Sequence, residues 1–79
     1  MWLDQKEMSQ WAYRYCLIIE DDPNIRSLII DSRCSYYYCK YIKDRLEVKK
    51  HIIDSYYSYY YCKKVKDDPE VRKYIKDDN

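Results

Sequence analysis

The chain contains no glycine in its 79 residues. Hairpins with primed turns, phosphate-cradling loops and dinucleotide fingerprints all lean on glycine, so none of them is expected. No apolar run approaches the roughly 20 residues that a membrane span needs. The first residues, MWLDQKEMSQ, lack a charged-then-apolar signal pattern, and the sequence reads as cytoplasmic. Charge of one sign is missing too: 15 basic side chains stand against 14 acidic ones, whereas a freely electrostatic nucleic-acid or membrane binder is normally more basic. Histidine occurs once, as His51. What remains is rich in Lys, Ile and Tyr, and reads as one small all-α domain near the lower size limit for a self-supporting core.

What is present is a repeat. Cys16, Cys39 and Cys62 are 23 residues apart, and the phrase SYYYCK occurs at both Ser35–Lys40 and Ser58–Lys63. Tyr13, Tyr36 and Tyr59 share that register, as do Tyr15, Tyr38 and Tyr61. So do Ile19, Ile42 and Val65; Asp21, Asp44 and Asp67; Ile25, Val48 and Val71; Arg26, Lys49 and Arg72; Ile29, Ile52 and Ile75; and Asp31, Asp54 and Asp77. A period of this size is the mark of a repeat architecture. The expected organisation is a capping extension over 1–10 followed by repeats 11–33, 34–56 and 57–79, all in one domain.

Each repeat carries two helix signals. On the first, Ser35, Tyr38, Cys39 and Ile42 are spaced to share a face, and the small residue heading that stripe (Ala12, Ser35, Ser58) lets a neighbouring helix approach. Asp31 or Ser32 and Asp54 or Ser55 are the candidate caps. In the first repeat, Asp4 and Glu7 resemble a capping box, and the stripe continues back through Met8 and Trp11 in a longer helix over about Gln5–Ile19. On the second signal, Asp68-Pro69-Glu70 starts a short helix with Val71, Tyr74 and Ile75 on one face. It is expected to end near Lys76, with equivalents at about Pro23–Ile30 and Arg45–Ile53. The middle one starts more weakly, because Arg45-Leu46 replaces Asp-Pro. The fold expected is an all-α stack of three two-helix repeats, a short α-solenoid, in which nearly all helix stability comes from stacking.

Tandem units with a small residue and spaced tyrosines on one helix, followed by a D-D-P-E-V-R opening such as Asp67–Arg72, resemble the ~23–24-residue two-helix repeats of bacteriophage and related viral proteins of unassigned activity. The resemblance spans Trp11–Asn79. It implies a compact helical stack, a viral origin and thus the host cytoplasm; it implies no catalytic residues. Those repeats often carry alanine where this chain has Cys16, Cys39 and Cys62, and a Gly-containing turn where it has Glu20-Asp21-Asp22.

The cysteines form no C-x-x-C pair, and three of them share one register position beside core tyrosines, so they read as reduced packing residues with no metal or other cofactor. Cys34 is off that register and is expected to be exposed. His51 aligns with Leu28 and Tyr74 and reads as a half-buried packing residue. Without a paired base or a glycine-built oxyanion loop, the chain reads as a non-enzyme.

Two stripes are left. Opposite the cysteine stripe lie Tyr37, Tyr41 and Cys34, with counterparts Trp11, Arg14, Ile18 and Tyr57, Tyr60, Lys64. This set is either a partner-binding face or is buried between repeats or in a homodimer. Arg26, Lys49, Lys50, Arg72 and Lys73 form a basic ladder on the second helices, most simply a solvated face. The expected function is protein binding through the aromatic face, in its most concrete form a phage-encoded inhibitor of a host defence protein of the anti-CRISPR or related type. The alternatives are a single-stranded nucleic-acid binder, with tyrosines stacking bases and the ladder on phosphates, and a structural homo-oligomer.

Overall fold

Aspartate starts nearly every helix of this chain. In a computed structural model describing residues 4–76, the elements run α1 (Gln5–Ile18), α2 (Pro23–Arg26), α3 (Ser32–Tyr41), α4 (Leu46–Lys49), α5 (Ser55–Lys64) and α6 (Pro69–Arg72). The Asp4 carboxylate accepts from the Glu7 amide, Asp22 from Asn24, Asp31 from Cys34, Asp54 from Tyr56 and Tyr57, and Asp68 from Glu70. Each such cap is worth about 1 kcal/mol. α4 begins at Arg45 with no side-chain cap, as its sequence predicts. Among the described residues 63% are helical and none is in a strand. The first three residues of the capping extension, and Asp77 of the Asp31 register, lie outside the described residues.

The long helices end without glycine. The Tyr15 carbonyl accepts from both Ile19 and Glu20, the Tyr38 carbonyl from Ile42 and Lys43, and the Tyr61 carbonyl from Val65 and Lys66. This forked closure replaces the left-handed residue that commonly ends a helix, and no described residue has a positive φ.

The second helices are shorter than their sequence pattern predicts. Each makes a single α-turn and then tightens: Leu28 and Ile29 donate to Ile25 and Arg26, three residues back, and the same pattern recurs at His51 and Ile52 and at Tyr74 and Ile75. A serine of the preceding long helix stops them there. Ser9 Oγ donates to the Leu28 carbonyl (3.3 Å) and accepts from the Ile30 amide (3.1 Å). Ser32 Oγ does the same with His51 and Ile53, and Ser55 Oγ accepts from Lys76. Polar backbone groups that a longer helix would have paired internally are satisfied by these hydroxyls instead.

The helices α1, α3 and α5 lie side by side, and each short helix packs against the long one before it. Ala12, Ser35 and Ser58 are fully buried, the close approach their size predicts. Around them the core is built from Tyr38, Tyr61, Ile29, Ile52, Val48 and Val71. In the first repeat the buried stripe runs back through Ser9 rather than through Met8 and Trp11, which are exposed. The reason is the serine clamp: it turns position 9 toward the first repeat's second helix and leaves Met8 and Trp11 on the outer side. The molecule measures 43 × 25 × 16 Å. A helix with its side chains is already about 10–12 Å across, so the thin dimension leaves every long helix one face at the surface.

Candidate functional site

Two residues of the basic ladder, Arg26 and Lys49, are built into the joints between repeats. Arg26 Nε lies 3.0 Å from Asp21 Oδ1 in its own repeat, and its Nη1 lies 3.0 Å from Glu47 Oε1 in the next. Lys49 Nζ lies 2.7 Å from Asp68 Oδ2, again in the next repeat. Arg26 is only 7% exposed, so the solvated face expected for it is not found there. The Asp21 side chain pairs with Arg26 and Arg45 and accepts a 2.7 Å hydrogen bond from the Tyr38 hydroxyl, which in turn accepts from Arg45 Nε. Burial alone would raise the Asp21 pKa, but hydrogen bonds from Arg26 and Tyr38 outweigh it and hold the carboxyl below its usual range. The hydrogen bond from Lys49 lowers Asp68 in the same way. Burial, with the bond to Asp21, pushes the Tyr38 phenol up to about 12. Tyr61 repeats the pattern one joint later, donating to Asp44 Oδ1 at 2.7 Å. At the end of the stack Arg72 pairs with Asp67 in the open, and Lys73 with Glu70. Lys50 is exposed.

The aromatic set divides by register. The position shared by Trp11, Cys34 and Tyr57 faces the preceding long helix. Cys34 is accordingly 6% exposed rather than open to solvent, and burial raises its thiol to about 11. Tyr57 is half-buried, and Trp11, on the first helix of the described residues, is exposed beside Tyr15. Tyr37 and Tyr60 are half-buried and Arg14 is exposed. The position of Ile18, Tyr41 and Lys64 is open throughout, with Ile18 76% and Tyr41 57% exposed.

Between α3 and α5 these side chains enclose a shallow groove of about 360 Å³, lined by Tyr36, Tyr37, Tyr41, Tyr56, Tyr57 and Tyr60 together with Lys40 and Lys64. The rings touch in sequence: Tyr37 with Tyr41, Tyr36 with Tyr57, and Tyr56 with Tyr57 and Tyr60, at centroid separations of 4.8–6.2 Å. Lys40 Nζ sits over Tyr41 at 4.9 Å, and the Arg33 guanidinium over Tyr37 at 5.7 Å. A second depression, of about 450 Å³, adjoins it and shares Tyr37 and Tyr57; Arg14, Arg33 and Lys6 border it. Sequence reasoning missed Tyr36 and Tyr56 as groove residues. Tyr56 is 60% exposed, and its place beside Tyr57 and Tyr60 on α5 was the available signal.

All four cysteines are free. Cys16 and Cys39 are buried, and burial raises the Cys39 thiol to about 12. Cys62 is half-buried, because no further repeat covers it within the described residues. His51 is half-buried, and desolvation together with Lys50 lowers its pKa. Among the described residues, no cluster of three or more Cys, His, Asp or Glu side chains is arranged to hold a metal ion, and no helix is long and apolar enough to cross a membrane. No protein-family model, curated protein or solved structure matches the chain.

Proposed function

We propose that this chain is a non-enzymatic protein-binding module that seats a segment of its partner in the tyrosine groove between α3 and α5. The observation that carries this reading is the groove itself: Tyr41 and Tyr56 stand exposed on its rim while Tyr37, Tyr57 and Tyr60 form a half-buried floor. Tyrosine gives large contact area at small entropic cost and is a usual interface anchor. Arg33, Lys40 and Lys64 around the rings favour a partner segment that carries carboxylates. Binding to single-stranded nucleic acid fits less well. Arg26 and Lys49 of the ladder are spent on ion pairs, and the groove rings lie against one another and against cations, where bases would have to stack. The narrower form of the proposal, a phage product that blocks a host defence protein, draws on the resemblance to viral repeats.

The test uses tagged wild-type protein and the Tyr41→Ala plus Tyr56→Ala variant against a bacterial lysate, followed by affinity measurement with the protein recovered. Two exposed anchors at about 2 kcal/mol each predict a loss of roughly several hundredfold, with only modest salt dependence. Failure of that variant to weaken binding, with loss instead in Lys50→Glu plus Arg72→Glu and a salt slope near 0.7 per phosphate, would establish the nucleic-acid reading. Expression in a bacterium with active CRISPR immunity tests the narrower form: phage plating should be restored.

A further inference from the structure

The two ends of the stack carry the two halves of one joint. Inside the chain the tyrosine–carboxylate bond of that joint is made twice, while its ion pair and its aromatic contact take a different form at each joint. Tyr38 donates to Asp21 and Tyr61 to Asp44, each to the repeat before it. Arg26 reaches Glu47 and Lys49 reaches Asp68, each in the repeat after it; Glu47 shares the register of Asn24 and Asp68 that of Asp22, so it is the Lys49 pair that the first repeat can receive. Tyr36 lies against Tyr57 of the next repeat at 5.9 Å between ring centroids. Moving each partner by one or two periods of 23 positions gives what the ends present. The last repeat offers Asp67, Arg72 and Tyr59, all exposed. The first repeat offers Tyr15 in the register of Tyr38 and Tyr61, Asp22 in the register of Asp68, and Trp11 in the register of Tyr57. Among the described residues no carboxylate meets the Tyr15 hydroxyl and no basic side chain meets Asp22. The existing Asp67–Arg72 pair is no obstacle, since Asp21 and Arg26 hold the same pair inside a completed joint. Solenoid ends are ordinarily closed by polar capping faces, whereas these expose Trp11 and Tyr59.

We infer that the C-terminal edge of one copy docks onto the N-terminal edge of a second copy, continuing the repeat stack across molecules. Tyr15 then donates to the neighbour's Asp67, the neighbour's Arg72 pairs with Asp22, and the neighbour's Tyr59 packs on Trp11. Such a contact is heterologous: each copy keeps one free edge of each kind, so the assembly grows in steps rather than stopping at a two-fold dimer.

Sedimentation velocity over a range of concentrations tests this with three proteins, each checked for helix content by circular dichroism. Wild type should gain mass stepwise with concentration, and less so at high salt. Trp11→Glu blocks only the N-terminal edge and Tyr59→Glu only the C-terminal edge, both at exposed positions, so each alone should remain monomeric. Mixed in equal amounts they should form a one-to-one dimer and go no further, because one live edge of each kind remains. A monomeric wild type at every concentration overturns the inference. So does a single variant that still self-associates, or a mixture that stays monomeric.

Discussion

Tyr36 and Tyr59 occupy the same place in successive repeats, yet one is 6% exposed and the other 46%. The difference is not in the residue or its helix but in whether another repeat follows among the described residues. The same contrast separates Cys39 from Cys62, and its mirror image, whether a described repeat precedes, separates Tyr38 from Tyr15. A repeat here does not contain its own core; it supplies half of a core and half of a polar joint, and the middle repeat is complete because it has neighbours on both sides. Stability should therefore be concentrated in the middle of the chain and fall away at the ends, with the same substitution giving different effects in the two places.

The largest contrast is expected at the cysteine register. Cys39→Asp places a carboxylate in a buried site close to Asp44 and should cost about 3–5 kcal/mol, enough to unfold much of the protein. Cys62→Asp, at the half-buried end, should cost about 1 kcal/mol. Urea denaturation of the two variants measures both, and equal losses would remove the distinction between middle and end.

Alkali should act on the middle next. An ordinary thiol titrates near 9.0, while burial moves Cys39 to about 12 and Cys34 to about 11. The folded state thus favours the protonated thiols. Their contribution is complete below pH 9 and is lost as pH rises through the folded values. Tyr38, moved from 10.0 to about 12, adds to the same limb. Thermal denaturation followed against pH should show the melting temperature falling above pH 9, and Cys39→Ala should flatten that fall. At acid pH the sign is opposite: Asp21 and Asp68 have lowered pKa values, so their contribution is present above the ordinary value of 3.8 and lost as pH falls through the folded values.

The polar joint gives a smaller contrast. Tyr38→Phe removes a hydrogen bond to an ionised, half-buried Asp21 and should cost about 1–2 kcal/mol. Tyr15→Phe, at the open end, should stay within about 0.5 kcal/mol in dilute solution. Two serines mark the bottom of the scale. Ser32→Ala breaks both bonds of its clamp and should cost about 1 kcal/mol. Ser35 is buried with its hydroxyl unpaired, and the first repeat already has Ala12 in its place. Ser35→Ala should therefore be neutral or stabilise the helix by about 0.5 kcal/mol. A marked loss there would mean that the hydroxyl has a role in the joint.

The period, the capping aspartates and the small-residue contact were legible because each recurs with the same chemistry at the same spacing. The length of the second helices was not. It is set by Ser9, Ser32 and Ser55, whose hydroxyls bond backbone groups 19 to 21 residues further on. A local hydrophobic pattern contains no trace of that competition. Cys34 reads as exposed, though it is buried, because its register holds Trp11, Cys34 and Tyr57, three unlike side chains that hide a shared packing position. Arg26 reads as a solvated residue in the sequence because charge ordinarily goes to the surface. The contrary signal was present in the joint recurrence of Asp21 with Asp44 and of Tyr38 with Tyr61, since polar residues that keep register in a stack are candidates to pair across its joints. For the groove, the sequence located Tyr37, Tyr41, Tyr57 and Tyr60. Which of them stand on the rim depends on how neighbouring helices tilt the rings.

The joint also bears on how the chain reaches its fold. Among the described residues, the side-chain hydrogen bond of longest sequence range joins Arg45 to Asp21, a separation of 24 positions. No step of assembly has to wait for distant parts of the chain to find one another, and topologies of such low contact order fold quickly. During synthesis the first repeat can dock as soon as the second has left the ribosome, and the third adds to a surface already in place. The order of assembly is then written in the order of translation, and substitutions in the first joint should slow folding more than those in the second.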